Sequence, residues 1–258
     1  MIVRETKQSF IMISQHDHAR LAGDIALRLP FNTTSAQKNV LLAIYEHDCG
    51  WVGLDHTPIW NDEAQKPFSF QDYPIIPKIE FYKKGINEIQ NKNMYAALLC
   101  SMHFASFFAS TPEGPGLHFL IEEKQRQTHL INSLKSQDEL DEKQLAFHFQ
   151  LLQLCDDISL YACLNHPGST KEKEHPWYIG GFKNTDVVFP TKNHLIAHWL
   201  DKQSITIDPF PFTEDFQSSY YYKSVDKQLV EKVGIANAYY LSETKEQALH
   251  FIKKIAKQ

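Results

Sequence analysis

The apolar positions of the chain change their period twice. Met1-Ile2-Val3-Arg4 and Ser9-Phe10-Ile11-Met12-Ile13-Ser14 are short apolar runs on either side of a polar turn, which predicts an opening hairpin. Helical spacing then takes over. His18, Leu21, Ala22, Ile25 and Ala26 recur every three or four residues up to Pro30, and Val40, Leu41, Ile44, Tyr45 and Asp48 do so again after Ser35, read as an N-cap. The stretch 50–77 breaks this habit, with Pro58, Pro67, Pro74 and Pro77 set among Trp51, Trp60, Phe68, Phe70 and Tyr73. A long aromatic loop in a compact chain is of the kind that often carries function. Further helices are predicted over 78–90, 94–110, 117–136 and 139–165, with breaks at 112–116 and 135–138.

After Pro167-Gly168 the texture changes. Ile205-Thr206-Ile207-Asp208 alternates, Pro209 and Pro211 interrupt, and 216–225 holds Tyr220, Tyr221 and Tyr222 in a strand-like run. A closing helix is predicted over 244–256. The expected architecture is a single domain, 1–258, mainly α: a helical bundle over about 15–165, with a small β-containing region made by 1–14 and 186–258, α+β overall. The opening hairpin is expected to pair with the carboxy-terminal strands.

Composition narrows the classes. With 258 residues, 43% hydrophobic and 22% charged, the chain can bury a sizeable core and is not of disordered or fibrous type. A net charge of -5 with scattered cations gives no basic footprint, so nucleic acid is not an expected partner. No segment reaches the roughly 20 apolar residues of a membrane span; the longest apolar run, 95–109, is broken by Ser101, His103 and Ser106 and reads as a buried helix. Cys49, Cys100, Cys155 and Cys163 form no Cys-x-x-Cys pair, and reduced thiols in a cytoplasmic protein are the simplest expectation.

The strongest chemical signal is Leu41-Leu42-Ala43-Ile44-Tyr45-Glu46-His47-Asp48-Cys49-Gly50-Trp51, an apolar helix that runs into a His-Asp doublet and stops at a glycine. Adjacent helical residues point about 100° apart. The doublet therefore shares one ion only off the helix end, with other helices supplying the remaining ligands. His18 lies on the face of Leu21, Ala22 and Ile25, and Asp156 sits in the stripe Phe149, Leu152, Leu160, Cys163. An ionised carboxylate in such a stripe needs a cation or strong hydrogen bonds. His103 stands in an almost wholly apolar helix, where it must find a hydrogen bond or a metal.

The order of a helix-borne His18, the doublet His47-Asp48 followed by x-Gly, and a late Asp156-x-Ile158-Ser159 resembles the HD superfamily of metal-dependent phosphohydrolases, over roughly 14–164. Asp156, not Asp157, is the position matching the family's Asp-x-hydrophobic-Ser. The whole chain also resembles an uncharacterised bacterial family, a domain of unknown function. That likeness rests on Gln15-His16-Asp17-His18-Ala19-Arg20-Leu21, Glu46-His47-Asp48-x-Gly50-Trp51, Ser101-Met102-His103, Leu151-Leu152-Gln153-Leu154-Cys155-Asp156 and Asp208-Pro209-Phe210-Pro211-Phe212. The first resemblance implies an HD-like helical bundle and a divalent metal (manganese, iron, zinc or magnesium) held by His18, His47, Asp48 and Asp156. It further implies that Asp48 orients a water, while His103 serves a second ion or the substrate.

The expected activity is thus metal-dependent hydrolysis of a small phosphate ester or phosphoanhydride, with Arg20, two residues past His18, reaching the phosphate and Trp51 near the substrate. Two other readings stand beside it: a di-iron oxygenase on the same kind of fold, and a non-catalytic binding module whose buried polar network only keeps helices in register. Glu122, Glu123, Arg126 and Gln127 are expected on a solvated helix face, and Trp51, Trp60 and Tyr73 are expected to pack the loop.

Overall fold

A computed structural model describes residues 1–31, 35–110, 113–183, 185, 188–189 and 194–254. The opening hairpin forms as β1 (Ile2–Glu5) and β2 (Ser9–Ile13), and its alternation is used on both faces. Ile2 and Ile13, directly paired, enter the main core, while Phe10 and Met12 point to the opposite side. Helices follow: α1 (Gln15–Ala26), α2 (Ser35–Glu46), the short α3 (Val52–Asp55), α4 (Ile75–Gln90), α5 (Met94–Ser106), α6 (Gly114–Ser136) and α7 (Glu142–Leu164). Ser14, Asn93 and Asp141 cap α1, α5 and α7 by accepting from backbone N–H groups of the first turn. The Ser35 side chain, expected to cap α2, lies outside the described residues, as does Pro112 of the expected break before α6.

The remaining elements are β5 (Ile196–Trp199), β6 (Ser204–Asp208), β7 (Phe216–Asp226), α8 (Lys227–Val233), α9 (Ile235–Leu241) and β8 (Thr244–Phe251). A separate two-stranded ribbon, β3 (Trp60–Asn61) and β4 (Lys66–Pro67), interrupts the aromatic loop. The main sheet has the order β1-β2-β7-β8-β6-β5; β6 and β8 are parallel and all other neighbours antiparallel.

This sheet corrects the expected architecture. The protein is an α+β fold with a curled six-stranded mixed sheet, not a mainly-α HD-like bundle with a small β appendage. Thr-Lys-Glu-Gln-Ala-Leu-His-Phe at 244–251 is rich in good helix formers, yet it pairs along its whole length with β7, from Thr244 opposite Lys223 to Phe251 opposite Phe216, and joins β6 on its other side. Two partner strands outweigh a preference of a few tenths of a kcal/mol per residue. Helices form instead at 227–241, where α8 and α9 close a second apolar cluster of Phe10, Met12, Val225, Val230, Ile235 and Ala238 over the outer face of the sheet.

On the inner face α1 packs against β7 and α7 against β1, and α2, α4, α5 and α6 build outward from them. Helix α5 touches α2, α4, α6 and α7, which explains its apolar circumference. The face of α6 expected in solvent is partly buried: Glu123 pairs with Arg126 at 3.0 Å, and Gln127 donates to Ser101 Oγ at 3.1 Å. Among the described residues no helix is long and apolar enough to cross a membrane.

Candidate metal centre

Helix α1 turns Gln15, His18, Ala22 and Ile25 to one buried face, so an imidazole and an amide project from the first turns into the interior. Helix α2 ends at Glu46, one residue before the doublet, not at Gly50 as its sequence suggests. His47 and Asp48 therefore lie in the turn that leads into a 3-10 turn, Cys49–Trp51, with Asp48 at φ -102, ψ 16. Leaving the helix lets two adjacent side chains face one point. Gly50 is needed for this course: a Cβ there would stand 2.1 Å from the Phe81 carbonyl oxygen and 2.9 Å from the Gly85 nitrogen, both backbone atoms of α4. Asp156 comes from the middle of α7 and His103 from the last turn of α5.

These groups converge in a cavity of about 40 Å³. His18 Nε2 lies 3.0 Å from Asp48 Oδ2, 3.2 Å from His47 Nε2 and 3.5 Å from Asp156 Oδ1. His47 Nε2 lies 3.4 Å from Asp156 Oδ1 and 3.7 Å from Asp48 Oδ2. The far sides of both rings are committed. His47 Nδ1 donates to the Ile44 carbonyl at 2.7 Å, and His18 Nδ1 donates to Ser159 Oγ at 2.7 Å because the Ser159 hydroxyl gives its own proton to the Asp156 carbonyl at 2.8 Å. In their neutral forms both rings thus present Nε2 lone pairs to each other and to two carboxylates, an arrangement that requires a shared proton or a cation. Donors about 2.1 Å from one ion lie about 3.0 Å apart when they subtend a right angle and about 3.4 Å apart at the tetrahedral angle. The five separations above spread around these values, so donor groups drawn from these side chains could hold a metal ion.

Electrostatics agree with this crowding. Burial works against protonating His47, but the charge of Asp48 and the hydrogen bond and charge of Asp156 outweigh it and push its pKa up to about 9. Burial likewise opposes ionisation of Asp156 and Asp48. The neighbouring imidazoles reverse this, His47 first in both cases, and hold both carboxyls below the usual range. His103 differs: burial, only partly offset by Asp156, brings it down to about 4. Its Nε2 is 3.4 Å from Asp156 Oδ2, so the two oxygens of that carboxylate face different histidines.

Sequence reasoning passes over two participants. Gln15 donates from Nε2 to Asp48 Oδ2 at 2.8 Å, and its place one turn before His18 on the same face is the signal that could have found it. Ser159 is visible only as part of the Asp-x-Ile-Ser pattern, without its role as acceptor for His18. Trp51 is buried and lines the cavity, together with Phe70, Tyr82, Phe104, Phe107 and Leu160. Arg20 does not line it. Its guanidinium is half-exposed, 3.8 Å from Asp17 and 5.7 Å from the Tyr221 ring centre.

Fold and site together define an α+β protein with a buried histidine–aspartate cluster, in which His18–His47–Asp48 and His47–His103–Asp156 form two overlapping donor groups that could hold a metal ion. The chain belongs to the family described as protein of unknown function (DUF3891), whose model matches residues 1–227. No curated protein and no solved structure matches it.

Proposed function

We propose that the protein is a metal-dependent hydrolase whose ion is held by His18, His47, Asp48 and Asp156. The observation that carries this reading is the convergence of two imidazole lone pairs and two carboxylates from α1, the turn after α2, and α7, in an interior where such a set needs a cation. A divalent ion there, whether manganese, iron, zinc or magnesium, would bring the pKa of a water toward neutrality and so supply a hydroxide nucleophile. The chain's own part is positional. Ile44 and Ser159 keep the Nε2 atoms free of protons, Gln15 holds Asp48, and the aromatic wall keeps bulk water out. Asp48 is assigned the orientation of the attacking water. The substrate is a small molecule, with a phosphate ester or phosphoanhydride as the class suggested by the H, HD, D order, and the buried free thiols suit a cytoplasmic setting.

One observation favours a second reading, oxygen chemistry on iron: the cavity wall is aromatic and aliphatic, and no Lys or Arg lines it among the described residues. Elemental analysis of gently purified protein tests both. Stoichiometric divalent metal, lost in His47→Ala, is expected; folded wild type that stays metal-free after growth with metal refutes the centre. Colourless protein that hydrolyses members of a phosphomonoester and nucleotide panel supports the first reading, whereas iron with visible absorbance supports the second.

A further inference from the structure

We propose that the substrate of this centre is a phosphate monoester whose organic part is apolar, an aryl group in particular, joined directly to the reacting phosphate. The inference rests on the metal-dependent hydrolase reading and names its substrate class.

Room decides where the organic part lies. At about 10–15 Å³ for each water-sized group, the 40 Å³ between the side chains of the centre admits about three of them, and an ion with its bound water takes most of that room. An ester whose phosphoryl group reaches the ion therefore keeps its organic part outside, against whatever borders the opening.

The lining shows where the opening is. Among the described residues that line the cavity, only Phe107 is exposed and only Phe70 is partly buried; all the others are buried. Phe107 ends α5, with its ring centre 4.8 Å from that of His103 and 51% of its surface in solvent, so one side chain spans from the centre to the outside. Trp177, 50% exposed, meets Phe70 edge to face at 6.3 Å between ring centres and carries the aromatic border outward. An apolar ring laid on this border takes its own surface and theirs out of water.

Charge and polarity narrow the class further. No Lys or Arg lines the cavity among the described residues, and Lys183, which borders a neighbouring cavity together with Trp177, shares it with Asp157. A second phosphate or a carboxylate on the organic part would lose hydration there without gaining a cation of its own, and sugar or glycerol hydroxyls would face ring surface in place of water. Hydrolysis of an aryl ester forms a bond from the water oxygen to phosphorus and breaks the bond from phosphorus to the ester oxygen. It releases inorganic phosphate and a phenol, whose oxygen takes up a proton of the water.

Phenylphosphonate and methylphosphonate carry one headgroup on organic parts of different apolar area, and neither has an ester bond to hydrolyse, so binding is read apart from activity. Each is titrated by calorimetry into wild-type protein of measured metal content. Phenylphosphonate is expected to bind at least about tenfold more tightly, from the ring surface covered. Phe107→Ser and Trp177→Ser are each expected to reduce that ratio about threefold or more; Trp177, half in solvent, keeps the comparison if Phe107→Ser does not fold. Metal-loaded protein that binds phenylphosphonate no more tightly than methylphosphonate, or binds neither, overturns this inference alone, as does an unchanged ratio in the folded variants. Folded wild type without metal overturns the centre and this inference with it.

Discussion

Ser159 on α7 and His18 on α1 are separated by 141 residues and meet at 2.7 Å between Oγ and Nδ1. Because the Ser159 proton is already given to the Asp156 carbonyl, this contact selects the His18 tautomer whose Nε2 faces the centre. Ser159→Ala frees the ring to flip or change tautomer. Metal affinity is expected to fall about 10–100-fold with the fold retained. A chelator competition giving the wild-type constant would remove Ser159 from the centre's support.

His47 makes a prediction about protein stripped of metal. Its folded-state pKa, about 9, lies above the ordinary 6.5, so the protonated ring contributes stability that is full below about 6.5 and is lost as pH rises through about 9. The urea midpoint of stripped protein should therefore drop between about pH 7 and pH 10, and His47→Gln should remove most of that slope. An equally steep profile in the variant would show that another group is responsible.

Gly50 lets the turn carrying His47 and Asp48 lie against the backbone of α4. In Gly50→Ala the new methyl meets the Phe81 carbonyl at 2.1 Å, and neither partner is a side chain that can swing away. A loss of about 1–3 kcal/mol in unfolding free energy is expected, with weaker metal binding as the doublet is displaced. Chemical denaturation and metal titration of one preparation measure both; a wild-type stability would mean that the turn can shift at no cost.

The four thiols should be inert in the folded protein. Burial, then the charges of Glu88 and Glu46, pushes Cys49 up to about 12, and burial raises Cys100, Cys155 and Cys163 as well. Iodoacetamide at about pH 8 is expected to leave native protein unmodified and to label all four positions once urea unfolds it. Fast labelling of any one thiol in the native state would contradict its burial.

What could be read from the chain and what could not divides along physical lines. His18, Asp156 and His103 announce themselves because each is a polar group on an otherwise apolar helical stripe, a pattern that local periodicity reports directly. Gln15 stays hidden because a glutamine at a helix start is ordinary, and only its distance to Asp48 shows what it holds. Arg20 misleads through proximity in sequence: two residues from His18 on α1, it projects from roughly the opposite side of the helix and lies near Tyr221 on β7 instead of in the cavity. The sheet is the larger omission. Its strand β5 has four residues and pairs only with the next strand, β6, and β8 is written in helix-forming letters, so β8 is specified by its two partner strands and not by its own composition.

The place of β8 in the sheet also dictates an order of assembly. It comes after every other strand among the described residues, yet it sits between β7 and the β5–β6 hairpin. As the polypeptide leaves the ribosome, the helices bearing the proposed ligands emerge first, while the facing edges of β6 and β7 wait with open backbone groups until 244–251 slides between them. That interval exposes two adhesive borders to neighbouring nascent chains, and it is where a chaperone would matter most for this protein.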